Sequence, residues 1–319
     1  MVGSFLVDVL MQRNCCCGQN CEVTVLGRSE AKARLRFESY WGDPLFHFLE
    51  WDIQKPLPTK AGQAVDYLFH LASTTHPKAY AEEPVDTVAV NVIGLNHLLS
   101  FACCHRTKRF VFTSSCEIYG ECPQELDAFT EKSCGYIDCN TLRAGYPESK
   151  RAGEALCQAY RKQYGLDVVI PRLSRTFGPT MLRSDSKAIS QFIKKGAAEE
   201  DVVLKSQGTQ FYSYTYVADA VSGILTCLLC GKDGEAYNIA SPSCNISLRE
   251  LAEVIAEQAG RTVRFELPDE IESAGYSKAT RSVLDSTKLR ALGWKPGYDM
   301  YYGLERTIKI LSETDPAGE

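Results

Sequence analysis

Arg109-Phe-Val-Phe-Thr-Ser-Ser-Cys-Glu-Ile-Tyr-Gly120 is a short apolar run that ends in hydroxyls, a thiol and a carboxylate. Its apolar part reads as a strand, so the polar residues fall at the strand's carboxyl end. Further along, Tyr146-Pro-Glu-Ser-Lys150 opens a helix. On a helix Tyr146 and Lys150 share one face, one turn apart. A lysine ammonium beside a phenol favours phenolate, which brings a tyrosine of pKa about 10 toward base chemistry near neutrality. A drop of roughly three units needs about 4 kcal/mol of differential stabilisation. Tyr-x-x-x-Lys alone is a chance-level pattern in a chain with 16 tyrosines. Its meaning comes from the strand before it and the order of elements around it.

Outward from this stretch, apolar runs alternate with helical segments. Asp66 to Leu71 reads as a strand buried on both faces, Glu22 to Leu26 and Phe46 to Trp51 as earlier strands, and Leu166 to Pro171 as a later one. Residues 3–12, 85–104 and 146–164 read as helices. Such alternation implies βαβ units and a parallel, doubly wound α/β sheet with right-handed crossovers. Beyond Arg172 the regularity weakens at Phe177-Gly-Pro179. Short strands are expected near 202–205, 214–217, 236–239 and 262–266, with helices near 188–198, 218–230, 248–259 and 303–312. The expected division is a dinucleotide-binding domain over 1–174, with 208–240 returning to it. A smaller mixed α/β substrate domain takes 175–207 and 241–319. The acidic tail after Ser312 reads as disordered.

Composition narrows the class. A chain of 319 residues with 45% hydrophobic and 24% charged residues fits one or two globular domains. A net charge of −5 argues against a nucleic-acid surface. No apolar stretch approaches the roughly 20 residues that span a bilayer, so no membrane partner is expected. The N-terminus has no basic region ahead of its apolar residues and makes a poor signal peptide. Fourteen cysteines then read as reduced intracellular thiols, and the expected location is cytoplasmic. Cys15, Cys16, Cys17 and Cys21 cluster in what reads as a helix-to-strand loop without a nearby histidine. Cys227 and Cys230 lie in a buried-looking helix as small core residues. No metal is expected at either place.

A doubly wound dinucleotide fold begins with an apolar strand and a glycine-rich turn whose amides hold the pyrophosphate. Here Gly3, followed by a helix, matches the last glycine of G-x-x-G-x-x-G, and Met1 falls between the second and third. Either the reading frame starts at an internal methionine or the chain truly lacks this piece. The first is favoured, because everything downstream is intact. As it stands the chain is expected to bind cofactor weakly and to be poorly stable.

With these residues in hand, the chain resembles the extended short-chain dehydrogenase/reductase superfamily. More narrowly it resembles the NAD-dependent epimerase/dehydratase family acting on nucleotide sugars. The likeness covers essentially the whole chain and implies a Rossmann-like fold. It implies that Tyr146 removes a proton from a sugar hydroxyl, that Lys150 holds the nicotinamide ribose, and that Ser115 hydrogen-bonds the same sugar hydroxyl. Glu117 fits the Thr-Ser-Glu-Val-Tyr-Gly and Thr-Asp-Glu-Val-Tyr-Gly runs of decarboxylase and dehydratase branches. Cys116 takes the place of serine or aspartate, which weakens the dehydratase reading. For the cofactor, the resemblance implies Gly3 at the pyrophosphate, Asp52 and Ile53 at adenine, Leu71-Ala72-Ser73 beneath the cofactor, and Asn91 near the active site. Arg28 after the second strand, with no acid there, tilts NAD toward NADP.

On the substrate side it implies Cys116, Lys187 and Arg281 near a nucleotide-diphosphate sugar. Arg175 stands where asparagine is usual, and Tyr212 where a phosphate-binding arginine is usual; the two departures can compensate. A homodimer through helices 85–104 and 146–164 is also implied. The leading expectation is oxidation of a sugar at C4 followed by epimerisation, dehydration or decarboxylation, with decarboxylation favoured by Glu117. The alternatives are an NADP-dependent keto-sugar or carbonyl reductase, or a cofactor-sensing scaffold without catalysis.

Overall fold

The computed structural model describes residues 1–18, 20–58, 64–73, 75, 80, 82–123, 126–266 and 280–314. Helix α1 (Val2–Cys17) is followed by β1 (Val23–Gly27), α2 (Glu30–Arg36), β2 (Phe46–Glu50) and β3 (Tyr67–His70). Helix α3 (Pro84–Cys104) leads to β4 (Arg109–Phe112) and the two-residue β5 (Ser114–Ser115). Then come α4 (Gly145–Tyr164), β6 (Val168–Leu173), β7 (Arg175–Phe177), α5 (Ala188–Ala197), β8 (Val202–Leu204) and β9 (Phe211–Tyr216). The chain continues through α6 (Val217–Cys230), β10 (Ala236–Ile239), β11 (Asn245–Ser247), α7 (Leu248–Gln258) and β12 (Val263–Phe265). It ends with β13 (Arg281–Ser282), α8 (Thr287–Arg290) and α9 (Met300–Thr314).

Strands β10, β6, β4 and β3 form a parallel sheet in that order, with β5 extending the pairing to β6. The alternation within β4 explains why helices cover both faces. Phe110 and Phe112 point to one side and pack with Leu95, Leu98, Leu99 and Ala102 of α3 and Cys157 of α4. Val111 points to the other side and packs with Val169, Ile224 and Cys227 of α6, and Trp294. Both sides are dry, as a doubly wound sheet requires. Helix α4 comes so close that a Cβ at Gly153 would lie 2.4 Å from the Phe112 ring. Strands β1 and β2 pair in parallel as a separate sheet, and among the described residues no strand joins them to β3. A third sheet gathers β7, β11 and β13 around β9. Its core holds Phe177, Ile193, Tyr214, Leu251, Ile255 and Leu304.

Several elements differ from the sequence reading. Helix α1 runs on to Cys17 and stops at Gly18 with φ 60, so Cys15, Cys16 and Cys17 end a helix and Cys21 alone lies in the connection. All fourteen cysteines are free. Helix α2 was not expected; Ser29 caps it by accepting from the Lys32 amide at 3.3 Å. Strand β9 starts at Phe211 rather than 214, and α9 continues to Thr314, past the expected end of order; residues 315–319 lie outside the described residues. Helix α3 spans 21 residues with a mean hydropathy of 1.5, long and apolar enough to cross a membrane, contrary to the expectation for this chain. Leu95, Leu99 and Ala102 within it are fully buried against the sheet, which accounts for its apolar character.

His70 closes β3 in full burial. Its Nε2 lies 3.2 Å from the Val90 carbonyl and its Nδ1 has no partner. Burial first, and the Lys150 charge second, push its pKa down to about 3. Unfolding frees it to bind a proton near its ordinary pKa of about 6.5. Its contribution to stability is therefore lost as the pH falls from about 6.5 to 3, at about 1.4 kcal/mol per unit. Urea unfolding at pH 6.5 and 5 tests this: His70→Gln is expected to reduce the acid-side loss by about 2 kcal/mol. Equal losses in both proteins would remove His70 from the account.

Candidate active site

The site is built where β5 meets the start of α4. Ser115 ends β5 and caps the tight turn Cys116–Tyr119 by accepting from the Glu117 amide at 3.2 Å. Gly120 closes that turn with φ 67, and a Cβ there would lie 2.3 Å from the Tyr136 carbonyl, so no side chain fits. Tyr146 sits in the first turn of α4 and is only 6% exposed. Its ring stacks on Tyr80 at 5.1 Å, with 22° between the planes. The Ser115 side chain acts on the phenol of Tyr146 and favours its ionised form. Arg143, one turn ahead, bridges both oxygens of Glu117 at 3.0 and 3.2 Å and lies 5.2 Å over the Tyr80 ring. Ser115, Glu117 and Tyr146 are thus brought together as expected. Tyr80 and Arg143 join them without having been singled out.

Electrostatics change the picture of the Tyr–Lys pair. Burial, then the Glu117 carboxylate, raise the Tyr146 pKa well above that of a free phenol. Ser115 and Arg143 oppose this. Lys150 turns its ammonium to the Thr113 carbonyl at 2.8 Å and stands 4.8 Å from the Phe112 ring. Burial lowers its pKa to about 7. The expected lowering of Tyr146 by Lys150 is therefore absent from this state: the ammonium is itself desolvated, and it is spent on a backbone carbonyl.

The other expected cofactor residues fall into two groups. Asn91 lies in a π-turn, Val90–Gly94, within α3. Its amide donates to the Thr87 carbonyl at 3.1 Å and to Ser149 Oγ at 3.0 Å, and Ser149 donates to the Tyr146 carbonyl at 2.8 Å. Asn91 thereby holds α4 in place, while its own Oδ1, and Ser114 Oγ on β5, are buried without partners among the described residues. At the other end, Arg28, Glu50, Trp51, Asp52 and Lys55 line a cavity of about 400 Å³ where β1 and β2 end. The turn after β1 carries no acid beside Arg28; Glu50 at the end of β2 lines the same cavity as Asp52, and its carboxylate accepts from the Glu30 amide at 2.8 Å. Ile53 is buried, and its carbonyl meets His97 Nδ1 at 3.1 Å. Gly3 packs beside Leu71, whose segment continues to Ala72 and Ser73. An acid and an arginine around a cavity, with a lysine and unpaired buried acceptors by the catalytic strand, fit a dinucleotide.

Residues 1–240 match the model of the NAD dependent epimerase/dehydratase family. The chain belongs to that family. UDP-glucuronic acid decarboxylase 6 of Arabidopsis thaliana is 31% identical over 304 residues, covering 95% of this chain and 83% of the relative. A dTDP-glucose 4,6-dehydratase from Streptomyces venezuelae, solved with NAD, superposes with a TM-score of 0.83 at 26% identity, covering 98% and 94% of the two chains. A UDP-glucuronic acid 4-epimerase from Bacillus cereus, solved with UDP-glucuronic acid and NAD, shares the fold. Its TM-score is 0.81 at 22% identity, over 98% and 96% of the chains. The α/β architecture is thus that of the epimerase/dehydratase enzymes, which act on nucleotide sugars.

In this family member the substrate-side residues are only partly gathered. Cys116 is buried, and its Sγ lies 3.9 Å from Arg175 Nη1. The Arg175 guanidinium stacks on Tyr212 at 3.6 Å, so the two departures noted in the sequence meet in space. Arg281 is exposed beside them on β13; it donates to the Asp127 carbonyl at 3.1 Å and lies over Phe211. Lys187 caps α5 and pairs with Asp185 at 3.0 Å, where it faces the Met1 amino group. Asp219 has a structural place, accepting from the Gly297 and Tyr298 amides at 2.8 and 3.0 Å.

Proposed function

We propose that the chain decarboxylates a UDP-linked uronic acid through oxidation at C4. The observation that carries this reading is the Arg143-bound Glu117 beside Tyr146, in a chain about 30% identical to UDP-glucuronic acid decarboxylases over 95% of its length. NAD, when bound, supplies the hydride acceptor and later returns the hydride. Tyr146 takes the proton of the C4 hydroxyl, and the Ser115 hydroxyl orients both groups. Lys150, with its pKa near 7, holds positive charge beneath the site when protonated. A ketone at C4 lies β to the carboxylate on C5, the arrangement from which carbon dioxide leaves with its bonding electrons retained by the sugar. Glu117 attends the second bond change, at C5. Return of the hydride makes the sequence redox-neutral.

Glu50 opposite Arg28 and the NAD in the solved relative favour NAD over NADP. Exposed Val85, Val88 and Ile93 along α3 support a homodimer through α3 and α4. Incubation with UDP-glucuronic acid, using NAD and NADP side by side, tests the reading. The expected product is a UDP-pentose, lighter by carbon dioxide, with no net reduced cofactor. A product of unchanged mass would assign epimerisation instead. Stoichiometric consumption of NADPH would assign a reductase.

A further inference from the structure

Arg175 carries its charge beside an aromatic ring and a thiol. It leaves β7 at a position paired with Tyr214 on β9, and its guanidinium lies over Tyr212 at 3.6 Å. Among the described residues it makes no ion pair; its one polar neighbour within bonding range is Cys116 Sγ at 3.9 Å. Burial works against its charge, while Cys116, Tyr214, Tyr212 and Glu117 favour it. A half-buried guanidinium gains from an anion that completes its hydrogen bonds. Elsewhere in this chain the withdrawn arginines have such partners: Arg109 holds Asp167 at 2.7 Å and Arg172 holds Glu154 at 2.6 Å. Cys116 stands between Ser115 and Glu117, so the unsatisfied charge opens beside the reacting sugar. Its place over the Tyr212 ring holds the guanidinium and leaves N–H donors for a planar or tetrahedral oxyanion.

We propose that Arg175 is an anion receptor of this site and takes an oxyanion of the substrate. The inference rests on the nucleotide-sugar reading. Two groups of such a substrate have the required chemistry, the sugar carboxylate and the diphosphate. Calorimetric titration of the full chain with UDP-glucuronic acid, UDP-glucose and UDP separates them. Arg175→Met keeps the reach and the contact with Tyr212 but removes the charge. It is expected to weaken UDP-glucuronic acid by about 10- to 100-fold. If the carboxylate is the partner, UDP-glucose and UDP bind as before; if the diphosphate is, all three weaken alike. Arg175→Lys should recover part of the loss, since it keeps the charge but not the fork. Should Arg175→Met fail to fold, Arg175→Gln carries the same test. Unchanged affinity for all three ligands, in a variant with the wild-type melting midpoint, overturns the assignment and leaves the nucleotide-sugar reading intact. If the wild-type chain binds none of the three, the reading and the assignment fall together.

Discussion

Tyr146→Phe is expected to lower turnover of UDP-glucuronic acid by about 10²- to 10⁴-fold while leaving the fold intact. That range corresponds to about 2.7 to 5.4 kcal/mol of lost transition-state stabilisation. The ring stays in its stack on Tyr80, and the helix it begins is held by Ser149 and Asn91 rather than by the hydroxyl. What disappears is the phenol oxygen on which Ser115 acts and which, in the proposed reaction, exchanges the proton with C4. The loss should therefore appear in the rate of the first, oxidative half-reaction and not in substrate affinity. Single-turnover formation of reduced cofactor measures it directly, with the thermal midpoint as the fold control. An unchanged rate would move proton transfer to another group, with Lys150 and Glu117 as the alternatives. Burial and Glu117 hold the resting phenol protonated at neutral pH, so wild-type Tyr146 acts as a base only when ligands in the site offset both.

Much of this site was legible before the structure, for identifiable reasons. The strand at 109–112 declares itself by composition, and its polar continuation puts Ser115 and Glu117 at the carboxyl end of a parallel strand, where α/β folds place ligands. Tyr146 and Lys150 are tied by helical spacing, which is local and survives without tertiary knowledge. Arg143 and Tyr80 carried no such signal. Each is a lone residue in a connecting segment, and each becomes part of the site only through tertiary approach. Glu50 was hidden likewise, because its role depends on the register of β2 against β1. The state of Lys150 carried no such signal, because spacing reports direction along a helix, while its pKa is lowered by burial and its ammonium turns to the Thr113 carbonyl. Cys15 to Cys17 extend α1 past the loop expected for them, on the exposed side of a helix that buries Leu6, Val7, Met11 and Asn14.

Glu154→Ala should cost about 3 to 5 kcal/mol of stability, the largest effect expected outside the catalytic group. Arg172 on β6 meets both oxygens of Glu154 on α4 at 2.6 and 2.9 Å, and the two side chains are only 11% and 14% exposed. The same guanidinium donates to Tyr119 Oη at 2.9 Å and to the Glu131 carbonyl at 2.8 Å. Tyr119 in turn donates to Asn238 at 2.6 Å, and Asn238 reaches the Phe129 and Asp285 carbonyls. One ion pair therefore ties the sheet, the catalytic helix, the turn after Ser115 and β10 together. Burial works against the Arg172 charge, but Glu154 and Tyr119 outweigh it and keep the group charged. Removing the carboxylate alone leaves a guanidinium stranded in low dielectric, and so the single substitution is harsh. Replacing both partners by apolar residues of similar volume, Glu154→Leu with Arg172→Met, removes the stranded charge and should recover most of the loss. Urea unfolding of the two single variants and the double variant measures the coupling. If the double variant is as unstable as the sum of the singles, the cost lies in packing and in the Tyr119–Asn238 chain rather than in the ion pair. Because Tyr119 belongs to the turn that positions Glu117, Glu154→Ala is also expected to slow turnover at temperatures where the protein remains folded.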